Sequence, residues 1–144
     1  MSYFPADMPR PEPNADEAGF WAHCKERSLR FQSCAACGTL RHPPMPMCFR
    51  CQSCETAWKE APEEATVYSY TVVRHAGHTA VTARLPYVVA VVEFATMPGV
   101  RLITNLTDID QTQVAIGMKV RLWWDDIGDG MQVPRFAPAE RLKV

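Results

Sequence analysis

The chain has 144 residues, which is enough for one ordinary domain or two small ones and excludes a large multidomain enzyme. Hydrophobic residues make up 47% and charged residues 22%, so the composition is that of a globular protein and excludes wholesale disorder. The formal net charge of −1 excludes the strong positive field by which many proteins bind nucleic acids without sequence specificity.

The beginning of the chain predicts cytoplasmic residence. Its first residues, MSYFPADMPRPEPN, contain Asp7 and four prolines, where a secretory signal would need a basic start and an unbroken apolar run. The longest uncharged apolar stretch, Leu85 to Val92, is far shorter than the roughly 20 residues that cross a bilayer, so we expect no membrane contact. In a reducing compartment, the six cysteines predict metal binding or thiol chemistry rather than a disulfide framework.

Residues 1–27 predict a proline-rich arm followed by a short amphipathic helix. The four prolines favour an extended arm over a helical one, because proline lacks the backbone donor that a helix needs. Asn14 and Glu17 have the spacing of a helix start with reciprocal capping. The helix is therefore predicted over about Ala15 to Arg27.

Residues 28–60 predict a zinc ribbon. Cys34 and Cys37 form one C-x-x-C pair, and Cys48 and Cys51 form another after an intervening stretch of ten residues. Two such knuckles can bring four thiolates to one tetrahedral site, for which structural zinc is the leading ion and rubredoxin-type iron the second. The segment has too few apolar residues to form a core of its own, so a metal would supply the missing stability.

The ligand set leaves one alternative open. Cys51 and Cys54 also form a C-x-x-C pair, so the second knuckle is either Cys48 with Cys51 or Cys51 with Cys54. We choose Cys48 with Cys51 because the shorter loop closes a more compact ribbon. Cys24 and Cys54 are then spare thiols, which we expect to be small buried hydrophobic residues.

Residues 61–144 predict a small antiparallel β-barrel or sandwich. Five segments have the alternation or the β-branched and aromatic content of strands. They are Thr66 to Val73, Tyr87 to Phe94, Val100 to Leu106, Lys119 to Trp124 and Met131 to Phe136. We expect the last at an edge, because Pro134 cannot donate to a ladder. Met97 to Gly99 and Asp126 to Gly130 predict turns, and no connection fits a helix of ordinary length, so the chain is mainly β.

Taken in order, these motifs resemble the zinc-ribbon plus OB-fold family of acyl-CoA-associated proteins that accompany thiolase-type enzymes. The resemblance rests on FW at 20–21, CAACG at 34–38, PP at 43–44, CFRC at 48–51, Trp58, VYSYTVV at 67–73, PYVVAVVEF at 86–94 and IGMKVRL at 116–122. It implies a rubredoxin-like zinc ribbon followed by a five-stranded OB-fold barrel. It also implies an accessory subunit for a thiolase, a lipid-transfer-protein-like thiolase or a related aldolase.

The resemblance further implies contact with the partner enzyme and with acyl-CoA as a ligand. The chain offers no convincing set of nucleophile, general base and oxyanion donors, so we expect it to be non-catalytic and its partner to carry the catalytic residues. The cations to test for contact with CoA phosphates are Arg41, Arg50, Arg74 and Arg84. The candidate partner contacts are Phe20, Trp21, Tyr68 and Tyr70, although the two helix aromatics pack either on a partner or on the rest of the chain.

The leading alternative is a protein that binds single-stranded nucleic acid. OB-folds with zinc ribbons do this by stacking bases on aromatic side chains, and Tyr68, Tyr70, Trp123 and Trp124 could supply such platforms. Strict alternation predicts that the two tyrosines share one strand face. The slight excess of acidic residues argues against this function, because affinity for nucleic acid depends on phosphate neutralisation.

Overall fold

The computed structural model describes residues 2–141. Residue 1 of the predicted arm and residues 142–144 of the predicted barrel segment lie outside the described residues. Within this range the secondary structure consists of one α-helix, eight strands and three short 3-10 turns. The helix α1 is Ala18–Lys25, and the strands are β1 (Arg30–Cys34), β2 (Leu40–Arg41), β3 (Thr56–Glu60), β4 (Glu64–Val73), β5 (Tyr87–Phe94), β6 (Met97–Leu106), β7 (Lys119–Gly128) and β8 (Met131–Pro138). The 3-10 turns are Thr79–Arg84, Gln111–Gln113 and Ala139–Arg141.

The helix α1 is shorter than predicted, although the predicted capping contact forms. Asn14 Oδ1 accepts a hydrogen bond from the Glu17 amide at 2.9 Å, and the Asn14 amide lies 3.5 Å from Glu17 Oε2. Residues 15–17 form a turn, so the helix proper begins only at Ala18. Arg27 has a left-handed φ of 57°, which ends the helix before the predicted boundary.

The ribbon is a three-stranded antiparallel sheet in the order β2-β1-β3. Gln32 of β1 lies opposite Arg41 of β2 on one side and Trp58 of β3 on the other. The first knuckle follows directly from β1, because Cys34 is the last residue of that strand, and the second knuckle lies between β2 and β3. The sheet therefore brings the two knuckles to the same end.

The remaining strands form a closed barrel in the order β4-β5-β6-β8-β7, with β7 pairing back to β4. All pairs are antiparallel except β6 with β8, and one parallel pair between the third and fifth strands is the topology of an OB-fold. The predicted fold class is confirmed. The predicted edge position of the last strand was wrong, because β8 lies between β6 and β7.

Pro134 is tolerated inside the closed barrel because its junction with β6 depends little on a backbone ladder. The parallel pairing of β6 and β8 consists of a single register pair, Leu106 with Phe136. A side-chain hydrogen bond also joins the two strands, since Thr104 Oγ1 of β6 donates to the Pro134 carbonyl of β8 at 3.0 Å. The Thr107 amide also donates to the Phe136 carbonyl at 2.8 Å.

The first predicted turn is displaced, and the second is confirmed over a shorter range. The β5–β6 hairpin turns at residues 95–96, and Met97 already pairs with Phe94, so Met97 to Gly99 belongs to β6. At the next hairpin, β7 extends to Gly128 and the turn is reduced to Asp129 and Gly130. Both turn residues have positive φ, 53° and 78°, as a two-residue type I′ hairpin turn requires.

Helix, ribbon and barrel share one hydrophobic core. Phe31 of β1 is fully buried, and its ring centroid lies 5.3 Å from that of Phe94 in the barrel and 6.2 Å from that of Phe20 in α1. Cys24 of α1 is fully buried in the same cluster, as expected. The ribbon thus obtains from the barrel the apolar contacts that its own sequence cannot provide. In residues 2–141, no helix has the length and apolar character needed to cross a membrane.

Candidate metal centre and groove

The four cysteines of the two knuckles meet at one end of the ribbon. Their sulfur atoms all lie within 4.8 Å of one another, with 3.4 Å between Cys34 and Cys51 and 3.7 Å between Cys37 and Cys48. Four sulfurs at the usual Zn–S distance of about 2.3 Å form a tetrahedron with edges of about 3.8 Å, so the arrangement fits one zinc ion. Cys34 and Cys48 are buried, whereas Cys37 and Cys51 are exposed.

Each knuckle is a tight turn that ends in a left-handed residue. The Gly38 amide donates to the Cys34 carbonyl at 2.8 Å, and the Gln52 amide donates to the Cys48 carbonyl at 3.0 Å. The φ angles are 78° at Gly38 and 65° at Gln52. Glycine adopts this conformation freely, whereas a residue with a Cβ pays about 1 kcal/mol or more, which is why the sequence signal is clearer for the first knuckle.

Backbone amides favour the thiolate forms of the two buried sulfurs. The Cys37 amide, which donates to Cys34 Sγ, is the largest of several hydrogen-bonding groups that together lower the pKa of Cys34 to about 6 against the opposing effect of burial. The Cys51 amide is the largest influence that lowers the pKa of Cys48. The Ser53 amide also lowers the pKa of Cys51, but the Cys34 sulfur, burial and the other two sulfurs together raise it to about 12. Four thiolates at this spacing repel one another, and a divalent cation at their centre relieves that repulsion.

The structure places Cys48, and not Cys54, with Cys51. Cys54 is exposed and lies outside the cluster of sulfurs. The expectation that Cys54 is a buried hydrophobic residue was therefore wrong, because the chain has already left the second knuckle and reached the surface before it enters β3. The four converging cysteines are those that the two knuckle spacings indicated.

Arg41, a candidate for phosphate contact, is a structural clamp with only 4% of its surface exposed. Its Nε donates to Gln32 Oε1 at 2.7 Å, and its Nη2 donates to the Met45 carbonyl at 3.3 Å. Gln32 Oε1 also accepts from the Met45 amide at 2.8 Å. These hydrogen bonds connect the loop before the second knuckle to β1, so the Arg41 guanidinium stabilises the ribbon.

The four candidate arginines do not form one cluster. Arg50 is exposed and lines a groove of about 510 Å³ together with Arg41 and Phe49, and this groove is called the ribbon groove below. Arg84 is engaged elsewhere, because its Nε donates to the Tyr3 carbonyl. Arg74 follows the end of β4 in an exposed loop. Arg41 and Arg50 are the two that the structure brings to a common groove.

Of the two helix aromatics, one is a core residue. Phe20 is 4% exposed, and its ring centroid lies 5.1 Å from that of His42 and 6.2 Å from that of Phe31. It therefore packs on the rest of the chain and offers no surface to a partner. Trp21 is partly buried, lies edge-on to Phe20 and lines the large groove described below.

A β-bulge separates the two candidate tyrosines of β4. The register with β5 shifts between Val67 and Ser69, so Tyr68 is the extra residue of the bulge. Its exposed ring lies 3.8 Å from the guanidinium carbon of Arg101, whereas Tyr70 packs against the core. The prediction that the tyrosines share one face was wrong, because a single extra residue reverses the alternation.

A groove of about 890 Å³ lies between the arm (residues 2–13), α1 and the outer face of the barrel. Its walls are mostly apolar. They include Phe4 and Met8 from the arm, Trp21 from α1, Val89 and Val91 from β5 and Ile103 from β6. Volume and character are those of a small-molecule site, which in proteins is typically concave and lined by apolar and aromatic side chains.

Asn105 and Arg135, which line this groove, form side-chain hydrogen bonds within the protein. Asn105 Nδ2 donates to the Val88 carbonyl at 3.1 Å, and Asn105 Oδ1 accepts from Arg135 Nη1 at 2.6 Å. The Arg135 Nε donates to Asp125 Oδ2 at 2.6 Å, and Asp125 is 1% exposed. This ion pair was not predicted from the sequence. Its signal was Asp125, which stands with Asp126 directly after the apolar residues 122–124, and Arg135, which stands among the apolar residues of 133–137.

His42 lies between the two grooves and lines both. Its ring centroid lies 5.1 Å from that of Phe20 and 5.0 Å from that of Phe31. Burial among these rings lowers the pKa of His42 to about 4, so the imidazole is neutral near pH 7. Its Nδ1 is buried and has no hydrogen-bond partner among the described residues.

A ribbon with four converging cysteines, joined through a common core to a closed five-stranded barrel, defines a zinc-ribbon plus OB-fold protein. Two family models match the chain in this order. The rubredoxin-like zinc ribbon domain of ChsH2 matches residues 21–56, and the C-terminal OB-fold domain of ChsH2 matches residues 58–125. The chain belongs to the ChsH2 family, also called DUF35, and the predicted resemblance is confirmed.

Solved structures support this assignment. The chain is similar to a protein described as Ltp2-ChsH2(DUF35) aldolase, with a TM-score of 0.82 and 44% identity over 90% of this chain and 99% of the other. A DUF35 family protein of unknown function from Sulfolobus solfataricus has a TM-score of 0.59 and 21% identity over 83% of this chain and 82% of the other, which shows the fold alone.

Curated relatives are much longer proteins. The chain is 44% identical over 131 residues to the probable enoyl-CoA hydratase alpha subunit of Thermomonospora curvata, covering 91% of this chain and 40% of the relative. It is 39% identical over 129 residues to the 3-oxo-4,17-pregnadiene-20-carboxyl-CoA hydratase alpha subunit of Mycobacterium tuberculosis, covering 87% and 39%. The chain thus spans about two fifths of the length of these relatives.

Proposed function

We propose that the protein is a non-catalytic accessory subunit of an acyl-CoA enzyme complex, in which a thiolase-type enzyme or an aldolase carries the catalytic residues. One observation carries the proposal: the chain matches 99% of a chain of the Ltp2-ChsH2(DUF35) aldolase at 44% identity. That name joins a ChsH2 protein to an aldolase, and the names of both curated relatives describe subunits of CoA-thioester hydratases.

The chemistry of the large groove supports a non-catalytic role. Among the residues that line it there is one histidine, His42, and neither cysteine nor serine. Thr104 lines it as well, but its hydroxyl donates to the Pro134 carbonyl. The neutral imidazole of His42 packs against the rings of Phe20 and Phe31. These walls can bind and position a substrate, while the partner provides nucleophile and base.

Zinc has a structural part in this proposal. Bound by Cys34, Cys37, Cys48 and Cys51, the ion would hold the two knuckles together without an open coordination position. The second knuckle carries Arg50 and the exposed ring of Phe49, so the ion would also fix the position of this end of the ribbon groove.

Acyl-CoA is the ligand we propose, and Arg50 is the cation best placed for its phosphates. The Arg50 side chain is exposed in the ribbon groove. Arg41 is only 4% exposed, and its Nε and Nη2 donate within the chain, while Arg84 Nε donates to the Tyr3 carbonyl. Replacing Arg50 by Ala should weaken CoA binding to the complex about tenfold, as expected for the loss of one charge-assisted hydrogen bond. Lys59→Ala, which removes an exposed cation from β3, is the matched control.

The proposed contacts with the partner enzyme are Trp21 and Tyr68. Both present aromatic surface on the outside of the core, and aromatic residues are enriched among the side chains that dominate interface energies. Trp21→Ala and Tyr68→Ser should each weaken association with the partner. Ile116→Ser removes another exposed apolar side chain from the connector before β7 and serves as the control.

The experiment is purification of the tagged chain from its native host, with mass spectrometry of the bound proteins and an assay of acyl-CoA turnover. We expect a thiolase-like or aldolase subunit in a fixed ratio, and turnover that requires both proteins. Turnover of the thioester by the chain alone would refute the proposal, and recovery of RNA in place of an enzyme would favour the nucleic-acid function.

The structure supports the nucleic-acid function less well than the sequence did. Three of the four candidate stacking platforms are engaged within the protein, because Tyr70 and Trp124 pack against the core and Trp123 Nε1 donates to Thr107 Oγ1 at 2.9 Å. The ring of Tyr68 lies against the guanidinium of Arg101. A base would have to displace these contacts before it could stack.

A further inference from the structure

The proline-rich arm is held at two points on the barrel, and the first point is buried. The Tyr3 amide donates to Asp125 Oδ2 at 3.1 Å, beside the ion pair of Asp125 and Arg135. The Arg135 guanidinium carbon lies 5.5 Å from the ring centroid of Tyr3 and 5.3 Å from that of Phe4. Phe4 itself is 7% exposed and packs edge-on against Tyr87.

The second point is on the surface, at the turn between β7 and β8. Arg10 Nη1 donates to the Gly128 carbonyl at 3.0 Å, and Nη2 donates to the Ile127 carbonyl at 2.6 Å. Arg10 also forms an ion pair with Asp129 at 3.5 Å, with side chains 39% and 91% exposed. A Cβ at Gly128 would lie 2.9 Å from Arg10 Nη2, so the missing side chain at this position makes room for the guanidinium.

These two points differ in strength. Lifting the arm at Tyr3 would break its hydrogen bond to the buried Asp125 carboxylate and expose the buried ring of Phe4 to water. This is unfavourable even though Asp125 keeps its ion pair with Arg135. The contacts of Arg10 are exposed, and water can replace each of them at little cost. Local opening of the arm therefore begins at Arg10, while the end at Tyr3 and Phe4 stays in place.

The stretch between and beyond these points forms one wall of the large groove. Met8, Pro11 and Glu12 line it opposite the outer face of β5 and β6. Among the described residues, the hydrogen bonds from residues 5–13 to the barrel all come from Arg10, and the one backbone bond within the stretch joins the Met8 amide to the Pro5 carbonyl. This wall is therefore attached to the barrel by the Arg10 contacts and by apolar packing.

We infer that the arm is a strap fixed at Tyr3 and Phe4 and, beyond residue 13, by the buried face of α1, with a releasable contact at Arg10 between them, and that its release controls access to the large groove. When the hydrogen bonds and the ion pair of Arg10 break, Met8, Pro11 and Glu12 move away from the barrel and the groove opens on that side. When Arg10 rebinds, the wall closes over whatever the groove holds. Opening and closing of the strap involves contacts within this chain alone, so its test does not depend on the proposed function.

The test compares Arg10→Ala with the charge-matched control Lys59→Ala in the zinc-loaded full chain. Endoproteinase Asp-N cleaves before Asp7 and Asp16, and mass spectrometry resolves these cuts from cuts before Asp108 and Asp125 in the barrel. Cleavage before Asp7 needs the arm off the surface, so its rate reports release. The association rate of Nile red, a neutral apolar dye, reports access to the groove.

Arg10→Ala should accelerate cleavage before Asp7 about tenfold and dye association by a similar factor, with cleavage in the barrel unchanged. The control should match the wild type in both rates. Equal rates for Arg10→Ala and the control would overturn the inference, as would faster cleavage before Asp7 with unchanged dye association. An equal acceleration before Asp108 and Asp125 would mean general unfolding and would also overturn it.

Discussion

Replacement of Phe31 by Ala should destabilise the ribbon and the barrel together. Phe31 is fully buried at the point where the two parts meet, with Phe94 on one side and His42 on the other at centroid distances of 5.3 and 5.0 Å. Truncation of a buried phenylalanine costs about 3–5 kcal/mol, and lost ring pairs add to the loss of apolar burial. We expect a decrease of about 4 kcal/mol in the free energy of unfolding.

Urea denaturation with two reporters measures this effect. Far-UV circular dichroism follows the barrel, and zinc release, detected with a chromophoric chelator, follows the ribbon. At a slope of about 2 kcal/mol per molar urea, the expected loss moves the midpoint down by about 2 M. Phe49→Ala removes a ring that is 67% exposed from the same ribbon, and it should change the free energy by less than about 0.5 kcal/mol.

The two transitions should coincide in the wild type and in the variant, because one core serves both parts. The reasoning would be refuted if zinc left the wild-type protein at urea concentrations where the barrel was still native. It would equally be refuted if Phe31→Ala lowered the midpoint no more than Phe49→Ala.

Three further outcomes are expected. Elemental analysis should find one zinc ion per chain in the wild type and in Cys54→Ser, whereas Cys37→Ser should lose it; full zinc in Cys37→Ser would contradict the assigned ligand set. Burial lowers the pKa of His42 to about 4 in the folded chain, from an ordinary value of 6.5. Between these two pH values the unfolded chain binds a proton that the folded chain does not, so the free energy of unfolding falls by up to about 3 kcal/mol as the pH drops from about 6.5 to 4. His42→Gln should flatten this part of the curve of unfolding free energy against pH, and an unchanged slope would rule out His42 as its source. Asp125→Asn should lower the free energy of unfolding by about 3 kcal/mol, because it leaves the buried Arg135 without its carboxylate. Asp129→Asn, at an exposed site, should change the free energy of unfolding by less than about 0.5 kcal/mol. Equal effects of the two substitutions in thermal melts would count against a buried ion pair.

Several features follow from the sequence because their signals are local. The C-x-x-C pairs predicted the cluster of four sulfurs, since each pair needs only one tight turn to aim both sulfurs the same way. Alternation and β-branched content predicted all five barrel strands within a few residues, because side-chain direction along a strand depends on immediate neighbours. Asn14 and Glu17 predicted a capping contact that forms across three residues.

Other features were mispredicted because distant parts of the chain decide them. The bulge at Tyr68 reverses the expected facing of a tyrosine, and it arises from how β4 pairs with β5 rather than from the tyrosine itself. Pro134 suggested an edge strand, but the closing contacts come from Thr104 on another strand. The sequence suggested that Arg41 is a cation on the surface, but it is buried between Gln32 and the loop that precedes the second knuckle.

The sequence by itself determined the family, the order of ribbon and barrel and the C-x-x-C pairs from which a metal site could be built, because these depend on residues a few positions apart. The structure then decided that Cys48, and not Cys54, joins the cluster of four sulfurs. Only the tertiary structure decided that ribbon and barrel share a core through Phe31, that the arm is tied down by Tyr3 and Arg10, and that a groove lies beneath it. The physical reason is packing. Which surfaces meet is settled by the joint burial of side chains far apart in the chain, and no local pattern records that choice.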